Sequence, residues 1–145
     1  MKLVLVCSHG GHMTELMELQ PVWAEHDILM ITYHSQRTLP SRAYTFANLS
    51  NHPLTIPGVF IRVLRLLRRE RPDWIISDGA EIALPVFAAA RLLGIRTLFI
   101  ESVCRVNSTS LTGHLLYPIT DVFLVQWPSL VARYGPKARY EGGIL

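Results

Sequence analysis

Five consecutive residues, Ser8-His9-Gly10-Gly11-His12, carry the sharpest chemical signal in this chain. Paired glycines let the backbone turn tightly and approach a ligand closely. The residues that follow read as a helix, whose first turn offers free N–H groups and the positive end of a dipole. That combination suits a phosphate or diphosphate. The segment lacks the third glycine of a dinucleotide-binding turn, and no Gly-Lys-Ser/Thr follows to make an NTPase phosphate loop. His12 falls at or near the helix start, where the dipole disfavours imidazolium. A neutral ring there can take a proton from an attacking hydroxyl. The alternative for the same histidine is a capping bond or a bond to a loop carbonyl.

Other reactive side chains fall at the ends of apolar runs. Asp78 is followed by Gly79, and Glu101 by Ser102 and, four residues on from Glu101, Arg105. A carboxylate at the end of an apolar strand needs a partner. Glu101 either pairs with Arg105 to hold the loop, or binds sugar hydroxyls and orients a catalytic group while Arg105 meets phosphate. Asp78 either holds a substrate hydroxyl or serves as the turn and helix-cap residue common before glycine. His34 and Gln126 end two further runs. Cys7, His9 and His12 have no second ligand pair at finger-like spacing, so no metal is expected, and Cys7 and Cys104 read as buried thiols.

The elements that must position these residues alternate. Apolar, β-branched runs predict strands at 3–7, 27–33, 74–77, 97–101 and 122–126, with a short one near 44–47. Helical spacing predicts helices at 13–23, with Leu16, Leu19 and Trp23 on one face, and at 57–71, 81–93, 110–117 and 128–134. Pro57 suits a helix start, Pro72 stops that helix, Pro85 belongs in a first turn, and Gly94 ends the Ala-rich helix. Strands alternating with helices imply an α/β fold, a doubly wound parallel sheet in a single domain spanning 1–145. In such a sheet ligands bind beyond the carboxyl ends of the strands, where all the polar residues above fall.

The chain has 145 residues and a net charge of +3, with a mean hydropathy of +0.27. Its positive charge is local: Arg62, Arg65, Arg68, Arg69 and Arg71 crowd one helix. Val59, Phe60, Val63, Leu64, Leu66 and Leu67 share that helix's apolar face, leaving the arginines and Ile61 outward. A basic face with one exposed apolar residue suits an anionic membrane surface, at about 1 kcal/mol per arginine. A solvated face is the bland reading. Nucleic acid is disfavoured, because aromatic residues do not interleave with the arginines. No apolar run reaches the roughly 18 residues needed to span a bilayer, and the first run reads as a strand rather than a signal peptide. The expectation is a cytoplasmic chain.

The Ser8–His12 segment, then Ile100-Glu101-Ser102 with Arg105, then Phe123-Leu124-Val125-Gln126-Trp127-Pro128, occur here in an order that resembles one family. It is the membrane-anchor subunit of the two-component N-acetylglucosaminyltransferase of the dolichol pathway, with its bacterial relatives in exopolysaccharide and capsule assembly. The resemblance covers the whole chain. It implies a Rossmann-like domain forming the acceptor-side half of a GT-B glycosyltransferase, similar to the N-terminal domain of the peptidoglycan lipid II N-acetylglucosaminyltransferase. The other half, a separate polypeptide, would bind the UDP-sugar. It implies direct, inverting transfer to a polyprenyl-diphosphate-linked saccharide, with no cofactor. On this resemblance Ser8, His9, Gly10, Gly11 and His12, with Asp78, Ser102 and Arg105, form the acceptor diphosphate and sugar site, and His12 and Glu101 are the catalytic candidates. The tail from about 138, with Tyr140, Gly142, Gly143, Ile144 and Leu145, would hold the catalytic partner. Eukaryotic members begin with a transmembrane helix and this sequence begins with its first strand. Membrane contact would then be peripheral, on the cytoplasmic face of the inner membrane, through Ile61, Arg62, Arg65, Arg68 and Arg69. Two rival readings stand beside this one: a non-catalytic membrane-docking scaffold, and a stand-alone nucleotide- or sugar-binding domain.

Overall fold

In the first strand, β1 (Lys2–Val6), side chains alternate between two buried layers. Val4 and Val6 face one cluster, and Leu3, Leu5 and the following Cys7 face the other. A strand apolar on both faces belongs inside a parallel sheet. The computed structural model describes residues 1–40 and 42–144 and places β1 third in a sheet of seven parallel strands, with neighbours on both sides. The others are β2 (Asp27–Tyr33), β3 (Ala43–Phe46), β4 (Trp74–Ser77), β5 (Arg96–Ile100), β6 (Val122–Leu124) and β7 (Ala138–Arg139). Their order is β3-β2-β1-β4-β5-β6-β7, so the chain winds outward from β1 in both directions.

Four helices pack on one face: α3 (Ile56–Glu70), α4 (Ala83–Leu93), α5 (Leu111–Leu116) and α6 (Ser129–Tyr134). They enclose the larger core, in which Phe99 and Phe123 stack at 4.9 Å. The other face carries α1 (Gly11–Glu18) and α2 (Gln20–Trp23), which bury Met13, Leu16 and Trp23. The single helix expected over 13–23 is therefore two. Pro21 stands in the first turn of α2, because it has no N–H to continue a helix and its ring clashes with the preceding turn.

Two further departures concern ends. The predicted tail from about 138 begins as an edge strand, β7, in parallel register with β6. Two residues are too short to leave a periodic signal. Helix α4 starts at Ala83 rather than at Glu81, with Pro85 in its first turn as expected. Helix α3 ends where Arg71 adopts a left-handed φ of 48°, ahead of Pro72.

Candidate functional site

Strand order reverses on either side of β1, which opens a crevice at the carboxyl ends of β1 and β4. Val6 lies opposite Ser77, so the segments leaving the two strands meet. His12, second in α1, places Nδ1 3.3 Å from Asp78 Oδ2. Asp78 is 0% exposed, and its Oδ1 is buried without a partner among the described residues. Gly79 allows the contact. Its φ is +130°, and a Cβ there would stand 2.8 Å from His12 Cε1.

This geometry corrects two expectations. Asp78 does not cap α4, whose start receives no side-chain hydrogen bond; it is fully buried against His12 and does not line the cleft in front of that ring. The α1 dipole is also not what sets the basicity of the ring. Contact with the carboxylate outweighs a dipole worth about half a charge. The Asp78 hydrogen bond is the largest cause raising the His12 pKa above its ordinary value, and it overcomes partial burial. Burial in turn pushes Asp78 up to about 6, with the His12 contact pulling the other way. With Nδ1–H donated to Asp78, Nε2 is the ring's free acceptor.

A cleft of about 510 Å³ lies in front of this pair. Gly11, His12, Gly79, Ser102 and Arg105 line it, and the exposed Cys104 stands at its edge. The expectation of two buried thiols thus holds for Cys7 alone, whose burial pushes its thiol up to about 12. Cys104 lies in the polar loop between β5 and α5, outside the core. Ser8, His9 and Gly10 shape the turn without lining the cleft. Gly10 takes a φ of 120° as the residue before α1, and the rings of His9 and Tyr33 meet in a T-shaped arrangement with centroids 6.4 Å apart. The N–H groups of Gly11, His12 and Met13 begin the helix and have no intrahelical acceptor.

Glu101 is 1% exposed and does not pair with Arg105, which lies in an exposed loop. Its oxygens instead accept from Ser102 N–H at 3.0 Å, Ser110 N–H at 3.2 Å, Ser110 Oγ at 2.8 Å and the Tyr134 hydroxyl. Ser110 in turn caps α5, its Oγ accepting from Gly113 N–H at 2.9 Å. The carboxylate therefore ties β5 to α5 and α6, and all its donors come from the protein. Ser102 is similarly engaged, its Oγ donating to Glu15 Oε1 at 2.7 Å.

Glu15 and Gln126 are the residues that the sequence reading passed over as partners. Glu15 lies three residues after His12 on the same face of α1. Its Oε2 accepts from Val103 N–H at 3.1 Å and from Gln126 Nε2 at 3.4 Å. Gln126 also donates to the Glu101 carbonyl at 3.0 Å and accepts from Ile144 N–H at 2.9 Å, so the tail is tied back to the cleft wall. The helical spacing from His12 was the one signal that could have revealed Glu15.

The arginine face is arranged as its wheel predicts. Val59, Val63, Leu66 and Leu67 are buried, Ile61 is 46% exposed, and Arg62, Arg65, Arg68 and Arg69 are exposed. Arg62 stacks over Phe46 with its guanidinium 4.9 Å from the ring centre. Arg69 approaches Glu70 at 3.4 Å, while Arg65 and Arg68 make no ion pair among the described residues. In the tail Tyr140, Gly142 and Gly143 are exposed and Ile144 half-buried. Leu145, the last of the proposed partner-binding positions, lies outside the described residues. Among the described residues no helix is long and apolar enough to cross a membrane.

A parallel Rossmann-like sheet with its polar cleft at the reversal of strand order is the architecture of one half of a GT-B fold. MurG from Acinetobacter baumannii superposes on it with a TM-score of 0.72 at 16% identity, over 90% of this chain and 42% of that one. The UDP-N-acetylglucosamine 2-epimerase from Rickettsia bellii gives 0.77 at 15%, over 99% and 45%. Residues 41–145 match the family model of the oligosaccharide biosynthesis protein Alg14 and its like, and the chain belongs to that family. Human UDP-N-acetylglucosamine transferase subunit ALG14 is 34% identical over 76% of this chain and 49% of its own length. The mouse protein of that name is 29% identical over 100% and 83%. The chain thus spans about half the length of the human relative.

Proposed function

We propose that this chain is the acceptor-side subunit of a two-component inverting glycosyltransferase, moving a sugar from a UDP-sugar to a polyprenyl-diphosphate-linked saccharide. The observation that carries the reading is the His12–Asp78 pair, which opens onto the cleft of a half GT-B fold. Asp78 accepts from Nδ1–H and leaves Nε2 to take the proton of the acceptor hydroxyl. The hydroxyl oxygen then bonds to the anomeric carbon as the bond to UDP breaks, and UDP leaves with the electron pair. A base matched to the operating pH contributes roughly 10²–10⁴-fold to such a step. The acceptor diphosphate is received by the free N–H groups at the start of α1 and by Arg105, which leaves His12 to act as the base. Glu101 and Ser102 hold the cleft wall, and Glu101 acts as a positioning residue.

One half of a cleft cannot bind both substrates. The UDP-sugar therefore belongs to a catalytic partner held by the tail at Tyr140, Gly142, Gly143, Ile144 and Leu145. The names of the mammalian relatives make UDP-N-acetylglucosamine the first donor to test. The face of Ile61, Arg62, Arg65, Arg68 and Arg69 rests on anionic headgroups at the cytoplasmic side of the membrane.

The deciding assay measures transfer from UDP-N-acetylglucosamine and related donors to lipid-linked acceptor, with this chain alone, the partner alone and both together. Activity is expected in the mixture only. Full activity of the partner alone, unchanged by this chain, would reduce the protein to a scaffold.

A further inference from the structure

A second cavity, of about 570 Å³, lies beside the polar cleft between α4 and the segment leading into α3. Leu49, Phe60, Leu84 and Ala88 form its walls, and Ile56 stands at its rim. Its polar side chains, among the described residues, are Ser50 and Glu81. The Ser50 hydroxyl donates to Glu81 Oε1, which pins the loop before α3 against the loop after β4 and gives the groove its shape. Glu81 also lines the polar cleft beside Gly79 and His12. The apolar groove and the polar cleft therefore share one wall.

Glu81 faces both spaces, so its charge favours neither; the N–H donors at the start of α1 and Arg105 are what hold an anionic group in the cleft. Apart from Ser50 and Glu81, which bond to each other, the groove's described lining is apolar, and water against such a lining is readily displaced by hydrocarbon. Outside the rim, Leu54 is 95% exposed and Ile56 42%, and the arginines of α3 begin at Arg62, six residues after Ile56. The chemistry that matches this sequence of environments is an amphiphile whose hydrocarbon joins its anionic head directly.

We propose that this groove holds the isoprene units nearest the diphosphate of the lipid-linked acceptor, so that the chain recognises its acceptor's hydrocarbon as well as its head. The assignment rests on the acceptor reading of the cleft. Bilayer acyl chains are the competing occupant, but they hang from a glycerol ester that the cleft has no reason to accept.

Calorimetric titration of this chain compares farnesyl diphosphate with inorganic diphosphate. Farnesyl diphosphate is expected to bind at least roughly tenfold tighter, given the free energy of burying each methylene. Ala88→Phe, which fills the groove from α4, should erase that advantage and leave inorganic diphosphate unchanged. Ile56→Asp, at the exposed rim, is the second variant should Ala88→Phe not fold, and should weaken farnesyl diphosphate alone. Equal binding of the two anions by the parent chain would overturn the groove and leave the acceptor cleft standing. Binding of neither would overturn both. Vesicles of phosphatidylglycerol and phosphatidylcholine, free of isoprenoid, form the last arm. The variants are expected to co-sediment with them as the parent does, and a matching loss there would assign the groove to bilayer lipid instead.

Discussion

Asp78 and Glu101 follow neighbouring strands, β4 and β5, and both are buried, yet the protein treats them in opposite ways. Glu101 accepts hydrogen bonds from Ser102, Ser110 and Tyr134. Asp78 has one oxygen on His12 at 3.3 Å and the other without a partner among the described residues. A buried carboxylate surrounded by the protein's own donors fastens a fold. One left half-satisfied opposes folding, and here it raises the basicity of a histidine that faces a cleft. Burial and strand-end position are shared, so neither separates the two roles. The donors around each carboxylate do.

The strongest test of that contrast removes the proposed base. His12→Ala in the assembled two-subunit enzyme should lower kcat by roughly 10²–10⁴-fold, with circular dichroism and partner binding unchanged. Retained activity would deprive the Asp78 side of its chemistry. Asp78→Asn should come next, lowering kcat at least roughly tenfold, on the pattern of other aspartate–histidine pairs. Because Asp78 raises the His12 pKa, its removal should move the acid limb of the pH–rate profile to lower pH. The stability effect has the opposite sense to the activity. Asp78 has a folded pKa raised to about 6, so the stability linked to its protonation is present at low pH and lost as pH rises through that value. The variant's melting temperature at pH 8 should therefore be no lower than the parent's, and a large fall would mark Asp78 as a structural residue.

The smallest effect on catalysis belongs to the other carboxylate. Glu101→Gln leaves at least one buried donor facing a donor and should cost about 1–3 kcal/mol of stability, read by denaturant unfolding. Its kcat should fall far less than that of either His12→Ala or Asp78→Asn. A variant of unchanged stability and abolished transfer would reverse the comparison and make Glu101 the reacting group.

Much of this arrangement was legible in the order of the residues. Apolar runs of period two and 3.6 located six of the seven strands and most helices, because those periods record which side chains face the core. The Gly10-Gly11 turn and the two-sided α3 were visible for the same local reason, as were the proline and glycine stops after α3 and α4. Pro21 was equally visible and should have divided the second element. Other features lay beyond local reading. His12 and Asp78 stand 66 residues apart in the chain, and only the pairing of β1 with β4 sets them face to face. The Glu101–Arg105 pair suggested by nearness in sequence gave way to Tyr134, 33 residues on, because packing of α6 against β6 brought a better-placed donor. Local sequence determined which residues would be buried, turned or helical, since those choices depend on neighbours along the chain. Which carboxylate keeps an open partner was decided by tertiary structure alone, since hydrogen bonds form between groups that folding brings within about 3 Å of each other, however far apart they lie in sequence.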